Sequence, residues 1–196
     1  MFKFAPLAMI GIIGAAAPAF AQDADAAGFT GARVEGIVGL DRNQAYDDHK
    51  DGAVYGIGAG YDVALGHSGK VIAGLEGEIN DSTAKVCGGA GTAADPRLCA
   101  RAARDLYVGG RVGTVVGGRT LLYAKAGYTN GRYKFTSDDG SSRTTLARTD
   151  LDGVRVGAGA EYALGPNTYV KAEYRYSNYE QGVSRHQLVG GFGMRF

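Results

Sequence analysis

Hydrophobic and polar residues alternate along eight segments of this chain with a period of two, the spacing of a half-buried strand and not of a helix. Over residues 31–40, Ala32, Val34, Gly36, Val38 and Leu40 share one face, with Arg33 and Glu35 on the other. Over 53–65, Tyr55, Ile57, Ala59, Tyr61, Val63 and Leu65 oppose three glycines and Asp62. The pattern returns over 71–80 (Leu75 and Ile79 against Glu76 and Glu78), 105–116 (Leu106, Val108 and Val112 against Asp105 and Arg111) and 121–133 (Leu122, Ala124, Ala126 and Tyr128 against Tyr123 and Lys125). It continues over 153–164 (Val154, Val156 and Tyr162 against Arg155 and Glu161) and 170–177 (Val170 and Tyr174 against Lys171, Glu173 and Arg175). The last run, 186–196, sets His186, Leu188, Phe192, Met194 and Phe196 against Gln187, Val189 and Arg195.

The connections alternate too. Short turns such as Gly66-His67-Ser68-Gly69, Gly117-Gly118-Arg119 and Gly165-Pro166-Asn167 separate long links at 41–52, 81–104, 136–152 and 178–185. This rhythm predicts an all-β, eight-stranded antiparallel up-and-down barrel with both ends of the chain on the short-turn side. Period two does not say which face is inside, since a soluble lipocalin-type barrel would turn its apolar side chains inward. Here the polar faces combine arginine, glutamate and many glycines, and the apolar faces carry Tyr61, Tyr128, Tyr162 and Tyr176, residues suited to a membrane interface. The apolar face is therefore expected to point outward, into lipid. Each segment is close to the roughly 9–11 residues a tilted strand needs to cross a bilayer. A chain that crosses with strands must close them, because lipid offers no partner to an open edge.

The amino terminus reads as a secretory signal. Lys3 is followed by the uncharged stretch 7–17 and the small-x-small site Ala19-Phe20-Ala21, so cleavage is expected before Gln22, with residues 1–21 removed and 22–196 forming one barrel domain. Loss of Lys3 from the 21 basic residues leaves twenty against twenty acidic ones, a balance that excludes the basic stripe of a nucleic-acid binder. Cys87 and Cys99, the two cysteines of the chain, would meet an oxidising compartment and read as a local disulfide, since a metal site would need further ligands nearby.

The final run, ending Gly-Phe-Gly-Met-Arg-Phe, resembles the carboxy-terminal signal strand of bacterial outer-membrane barrels. In that resemblance Leu188, Phe192, Met194 and Phe196 form the assembly signal. The stretches Arg104-Asp105-Leu106-Tyr107-Val108-Gly109-Gly110-Arg111 and Leu122-Tyr123-Ala124-Lys125-Ala126-Gly127-Tyr128 are similar to strands of the small porin-family and surface-antigen barrels of Gram-negative bacteria, including the OmpA-like membrane domain and the opacity type. The resemblance implies an integral outer-membrane protein with periplasmic termini and extracellular loops. It implies partnership with outer-membrane lipids, and with the barrel-assembly machinery and periplasmic chaperones during biogenesis. Its implied role is envelope integrity or surface interaction, with no cofactor and with any surface ligand unspecified.

Parity assigns fourteen charged side chains to the interior: Arg33, Arg111, Lys125, Arg155, Lys171, Arg175 and Arg195 with Glu35, Asp62, Glu76, Glu78, Asp105, Glu161 and Glu173. Seven basic groups facing seven acidic ones, in a lumen just wide enough for side chains to fill, predict an ion-paired plug. A narrow porin-like channel for small solutes is the alternative. Asp47, Asp48, His49 and Asp51 are read as a solvated loop in preference to a cation site. Glu180, Ser184 and His186 are the only cluster resembling the rim residues of lipid-modifying barrel enzymes, and parity puts His186 on the lipid side, so no catalytic role is expected.

Overall fold

In the computed structural model the described residues are 27–45, 48–66, 69–92 and 94–196. The expected signal segment, along with Asp47, lies outside them. A single 3-10 turn, Ala27–Phe29, leads into β1 (Gly31–Ala45), β2 (Asp48–Leu65), β3 (Val71–Ser82), β4 (Lys85–Gly88), β5 (Arg97–Val116), β6 (Thr120–Asp138), β7 (Arg143–Ala163), β8 (Thr168–Tyr179) and β9 (Val183–Arg195). Every pairing is antiparallel. The order β3-β2-β1-β9-β8-β7-β6-β5 closes on itself where β3 pairs β5, giving an eight-stranded barrel, and β4 is an extra strand carried by β5 outside the ring.

Burial follows the sequence parity and is inside out for a soluble protein. Leu75 is 72% exposed and Val38 65%, while Arg155 and Asp105 are 0% exposed. A wall of exposed aliphatic and tyrosine side chains, continuous around the cylinder, is tolerable only where lipid replaces water. Among the described residues no helix is long and apolar enough to cross a membrane, so crossing falls to the strands.

The links expected as long loops are mostly strand. β1 and β2 keep their ladder to the pair Ala45↔Asp48, β6 and β7 keep theirs to Asp138↔Arg143, and β5 starts as early as Arg97. What is left outside the strands is short: 83–84 and 89–96 in the second link, 139–142 in the third, and a 3-10 turn at Glu180–Gly182 between β8 and β9 in the fourth. The cause is physical. Beyond the bilayer both faces of a strand are wet, so backbone pairing persists without any hydrophobic period to reveal it.

Where β3 leaves the ring, β5 changes neighbour. Residues Asn80 and Asp105 form the last β3–β5 pair, Lys85 and Arg101 the first β4–β5 pair, and a register shift between Ala102 and Asp105 marks the junction. A bulge at this point lets one strand serve two partners in different directions. Cys87 and Cys99 are directly opposite each other in this extension and are disulfide-bonded.

At the short-turn end the lumen is stopped by an apolar cluster. Phe29 enters from the 3-10 turn and packs with Ile72, Val115, Leu121 and Tyr123.

Two outcomes are expected. Val156→Arg, on the outer wall close to the bilayer centre, destabilises the inserted barrel by about 2–4 kcal/mol in urea titrations of vesicle-embedded protein, and cysteines at 155 and 156 differ in access to a lipid-phase quencher. Reduction of Cys87–Cys99 releases a loop constraint of roughly 3 kcal/mol. Because that loop lies outside the ring, limited proteolysis between the two cysteines accelerates while the barrel's unfolding midpoint stays fixed.

Candidate functional site

All fourteen of the charged side chains assigned inward by parity lie in the lumen, and each is less than one-tenth exposed. They form three tiers along the barrel axis. Nearest the short turns, Asp62 on β2 accepts from three arginines: Arg33 Nε at 3.1 Å, Arg111 Nη2 at 2.6 Å and Arg195 Nη1 at 2.7 Å. Glu161 on β7 accepts from Arg111 and Arg195 on the opposite side. Arg195 also donates to the Phe29 carbonyl at 2.8 Å, which ties the tier to the apolar stopper beneath it.

In the middle tier Lys125 Nζ stands 2.6 Å from Glu76, 2.6 Å from Glu78 and 3.1 Å from Glu173. Lys171 meets Glu35 at 2.5 Å, and Arg175 bridges Glu173 at 2.5 Å and Glu78 at 2.7 Å. Arg33 links this tier to the one below through Glu76 and Glu35. Tyrosine hydroxyls complete the carboxylates: Tyr169 donates to Glu35 at 2.8 Å and Tyr123 to Glu173 at 2.6 Å.

The upper tier is centred on Asp105, which accepts from Arg155 Nη2 at 2.6 Å, Arg185 Nη1 at 2.8 Å, Tyr179 at 2.8 Å and Thr129 at 2.9 Å. Arg185 in turn grips Asp41 with Nε and Nη2, both at 2.6 Å. Asp41 and Arg185 belong to segments expected as loops. Extending the parity of Arg33 and Glu35 along β1, and of Arg195 back along β9, would have placed both inside. With them the buried lumen contains eight basic and eight acidic side chains among the described residues.

Glycine makes room for this density. A Cβ at Gly74 would collide with the Asp62 carboxylate and one at Gly193 with the Tyr169 ring. Large groups thus lie over bare backbone on the neighbouring strand, and cations stack on the rings so placed, Lys125 on Tyr107 at 4.6 Å and Arg195 on Tyr169 at 4.7 Å.

The other sequence candidates fare differently. The His186 ring contacts the Tyr174 hydroxyl at 2.7 Å on the outer wall, while Glu180 sits in the 3-10 turn and no hydrogen bond joins it to Ser184 among the described residues. Asp51 is held by Arg42 at 2.7 and 3.0 Å. No cluster of potential metal ligands occurs among the described residues. Outside the membrane-spanning part, the Arg132 guanidinium beside Asp150 holds that carboxyl below the usual carboxylate range.

A closed ring of eight strands with an apolar wall and a neutral, charged lumen is the geometry to compare with known proteins. The family model for the outer membrane protein beta-barrel domain matches residues 7–196. This chain belongs to that family. As a member of the outer-membrane β-barrel family it is an integral outer-membrane barrel. No curated protein sequence is significantly similar to it. Among solved structures, this barrel is similar to Neisserial surface protein A, with a TM-score of 0.59 and 17% identity over 85% of this chain and 98% of that one. It is also similar to Ail, the attachment invasion locus protein of Yersinia pestis, with a TM-score of 0.57 and 18% identity over 85% of this chain and 99% of that one. At these identities the likeness is one of fold.

Removing one partner from a buried pair leaves an uncompensated charge. Asp105→Ala in the outer-membrane barrel is expected to cost about 3–5 kcal/mol in equilibrium unfolding. Asp150→Asn breaks a solvent-exposed pair with Arg132 and is expected to cost less than about 1 kcal/mol in the same assay.

Proposed function

We propose that this protein is a structural and surface-displaying component of the outer membrane whose lumen is a plug. The observation that carries the reading is the charge balance of the described lumen: eight cations and eight carboxylates, tied tier to tier by salt bridges from Arg195 to Arg185 and stopped at one end by Phe29. A conducting path would require separating several of these pairs in a medium of low dielectric, where separation is costly. In this reading residues 1–21 are cleaved on export, the termini are periplasmic and the extended hairpins face out of the cell. The outward residues Leu188, Phe192, Met194 and Phe196 of the last strand serve assembly. The hairpins are the surface available to an external partner.

A narrow channel is the second reading, favoured by one observation. The Tyr107 hydroxyl, both ends of the Gln187 amide and Arg195 Nε are buried without a hydrogen bond among the described residues, so the polar filling is incomplete at several levels of the lumen.

Single-channel recording on the purified barrel in a planar bilayer separates the two. The plug gives no channel, or only rare small openings. Arg111→Ala, Lys125→Ala and Arg155→Ala each raise conductance by freeing a carboxylate and a void, whereas Arg119→Ala, in a short turn, does not. Steady ohmic openings in the native protein, unchanged by the three lumen substitutions, would replace the plug with the pore.

A further inference from the structure

Above the ring, β4, β5, β6 and β7 continue as a four-stranded blade, and its cross-strand register aligns Lys85 with Arg101, Arg101 with Lys134, and Lys134 with Arg148. Directly paired residues point to the same side of a sheet, so these four cations form one row. The parity of β6 fixes the side: Tyr128 is outward, and Lys134 lies six residues further along the same strand. The row therefore faces away from the barrel axis, over the surrounding membrane surface.

Like charges placed directly opposite each other oppose pairing of the strands that carry them. Little on the protein offsets this. Arg101 has one carboxylate, Asp81, at 3.7 Å, and Lys85, Lys134 and Arg148 have no ion pair among the described residues. The row below it is different: there Arg132 is matched to Asp150 at 2.7 Å. The row is about 15 Å wide, from four strands roughly 4.8 Å apart. It stands about 13 Å along β6 from the last apolar row, which contains Ile79 and Leu106 and reaches Asn130. An anion that meets it must be fixed laterally, beyond the hydrocarbon boundary, and must carry more than one negative group.

We infer that the outward row Lys85–Arg101–Lys134–Arg148 is a docking site for the phosphorylated headgroup of the outer-leaflet glycolipid, packed beside the barrel. The inference rests on the proposed orientation, with the hairpins outside the cell. The lateral aim of the row favours a lipid neighbour over a soluble polyanion, which would approach from above.

The test uses the full mature protein, extracted from vesicles of zwitterionic phospholipid doped with rough lipopolysaccharide or with the same material chemically dephosphorylated, and native mass spectrometry to count retained glycolipid. The native barrel is expected to retain the phosphorylated form and not the dephosphorylated one, with retention falling as salt rises. The K85Q/R101Q/K134Q/R148Q protein is expected to retain it at least about tenfold less. Heat-modifiable gel migration checks that this variant is folded, and Lys85→Arg with Lys134→Arg keeps retention. Loss of two charges at the other end of the barrel, in Lys70→Gln with Arg119→Gln, leaves retention unchanged. Equal retention of the dephosphorylated form, equal retention by the quadruple variant, or binding of heparin in place of the glycolipid would each overturn the site. Orientation is read separately, from an epitope inserted at Gly140: if it is hidden on intact cells while phosphate-dependent retention persists in vesicles, the assignment to the outer leaflet falls and the orientation with it.

Discussion

Lipid has no hydrogen bonds to give, and this one deficiency shapes the molecule. Every peptide group at membrane depth must find its partner in the protein, so the sheet has to close, and here it closes through the β3–β5 and β1–β9 ladders. Closure at eight strands then fixes the bore. A cylinder of that size has room for side chains and little else, so whatever points inward has to fit together as a solid. The wall is free to be oily because its solvent is oily. The interior is left with all the groups that the wall cannot accept.

Those groups make a second constraint. Desolvating a charge is costly unless an opposite charge and further hydrogen bonds take the place of water, and replacing one partner strands the other. The lumen meets this by sharing: Asp62 and Asp105 each serve several cations, and tyrosines supply the remaining donors. Such sharing requires strands that are far apart in sequence to be in register together. Arg185 on β9 cannot reach Asp41 and Asp105 unless the first and last strands are already joined. Charge pairing and ring closure are therefore mutually dependent steps of assembly.

How much of this was legible in the sequence depended on where the two faces of a strand differ in environment. Inside the bilayer one face meets lipid and the other meets charge, so residues such as Val156 and Arg155 announce their sides by type alone. Outside it the contrast disappears, and the strands at 41–45, 97–104 and 143–152 look like loops. Asp41 and Arg185 fell into that blind zone, although the parity of their strands continued without a break. Phe29 gave no periodic signal because it enters from a turn. The cross-strand row of cations on the blade was hidden for a different reason: it is a property of register, which no single segment contains.

The change of partner along β5 has a meaning for thickness. The ladder that completes the ring runs for only ten pairs, from Val71↔Thr114 to Asn80↔Asp105, and the β7–β8 ladder for eleven, from Gly153 to Ala163. Those lengths match what a tilted strand spends in crossing a hydrocarbon core. Past the last pair the sheet opens into a blade with free edges, whose peptide groups can only be satisfied by water. The cylinder is thus a gauge of the bilayer it sits in. A thicker membrane would draw the open edges of β4 and β7 into oil, so the bulge beside Asp105 marks the depth at which this fold stops tolerating lipid.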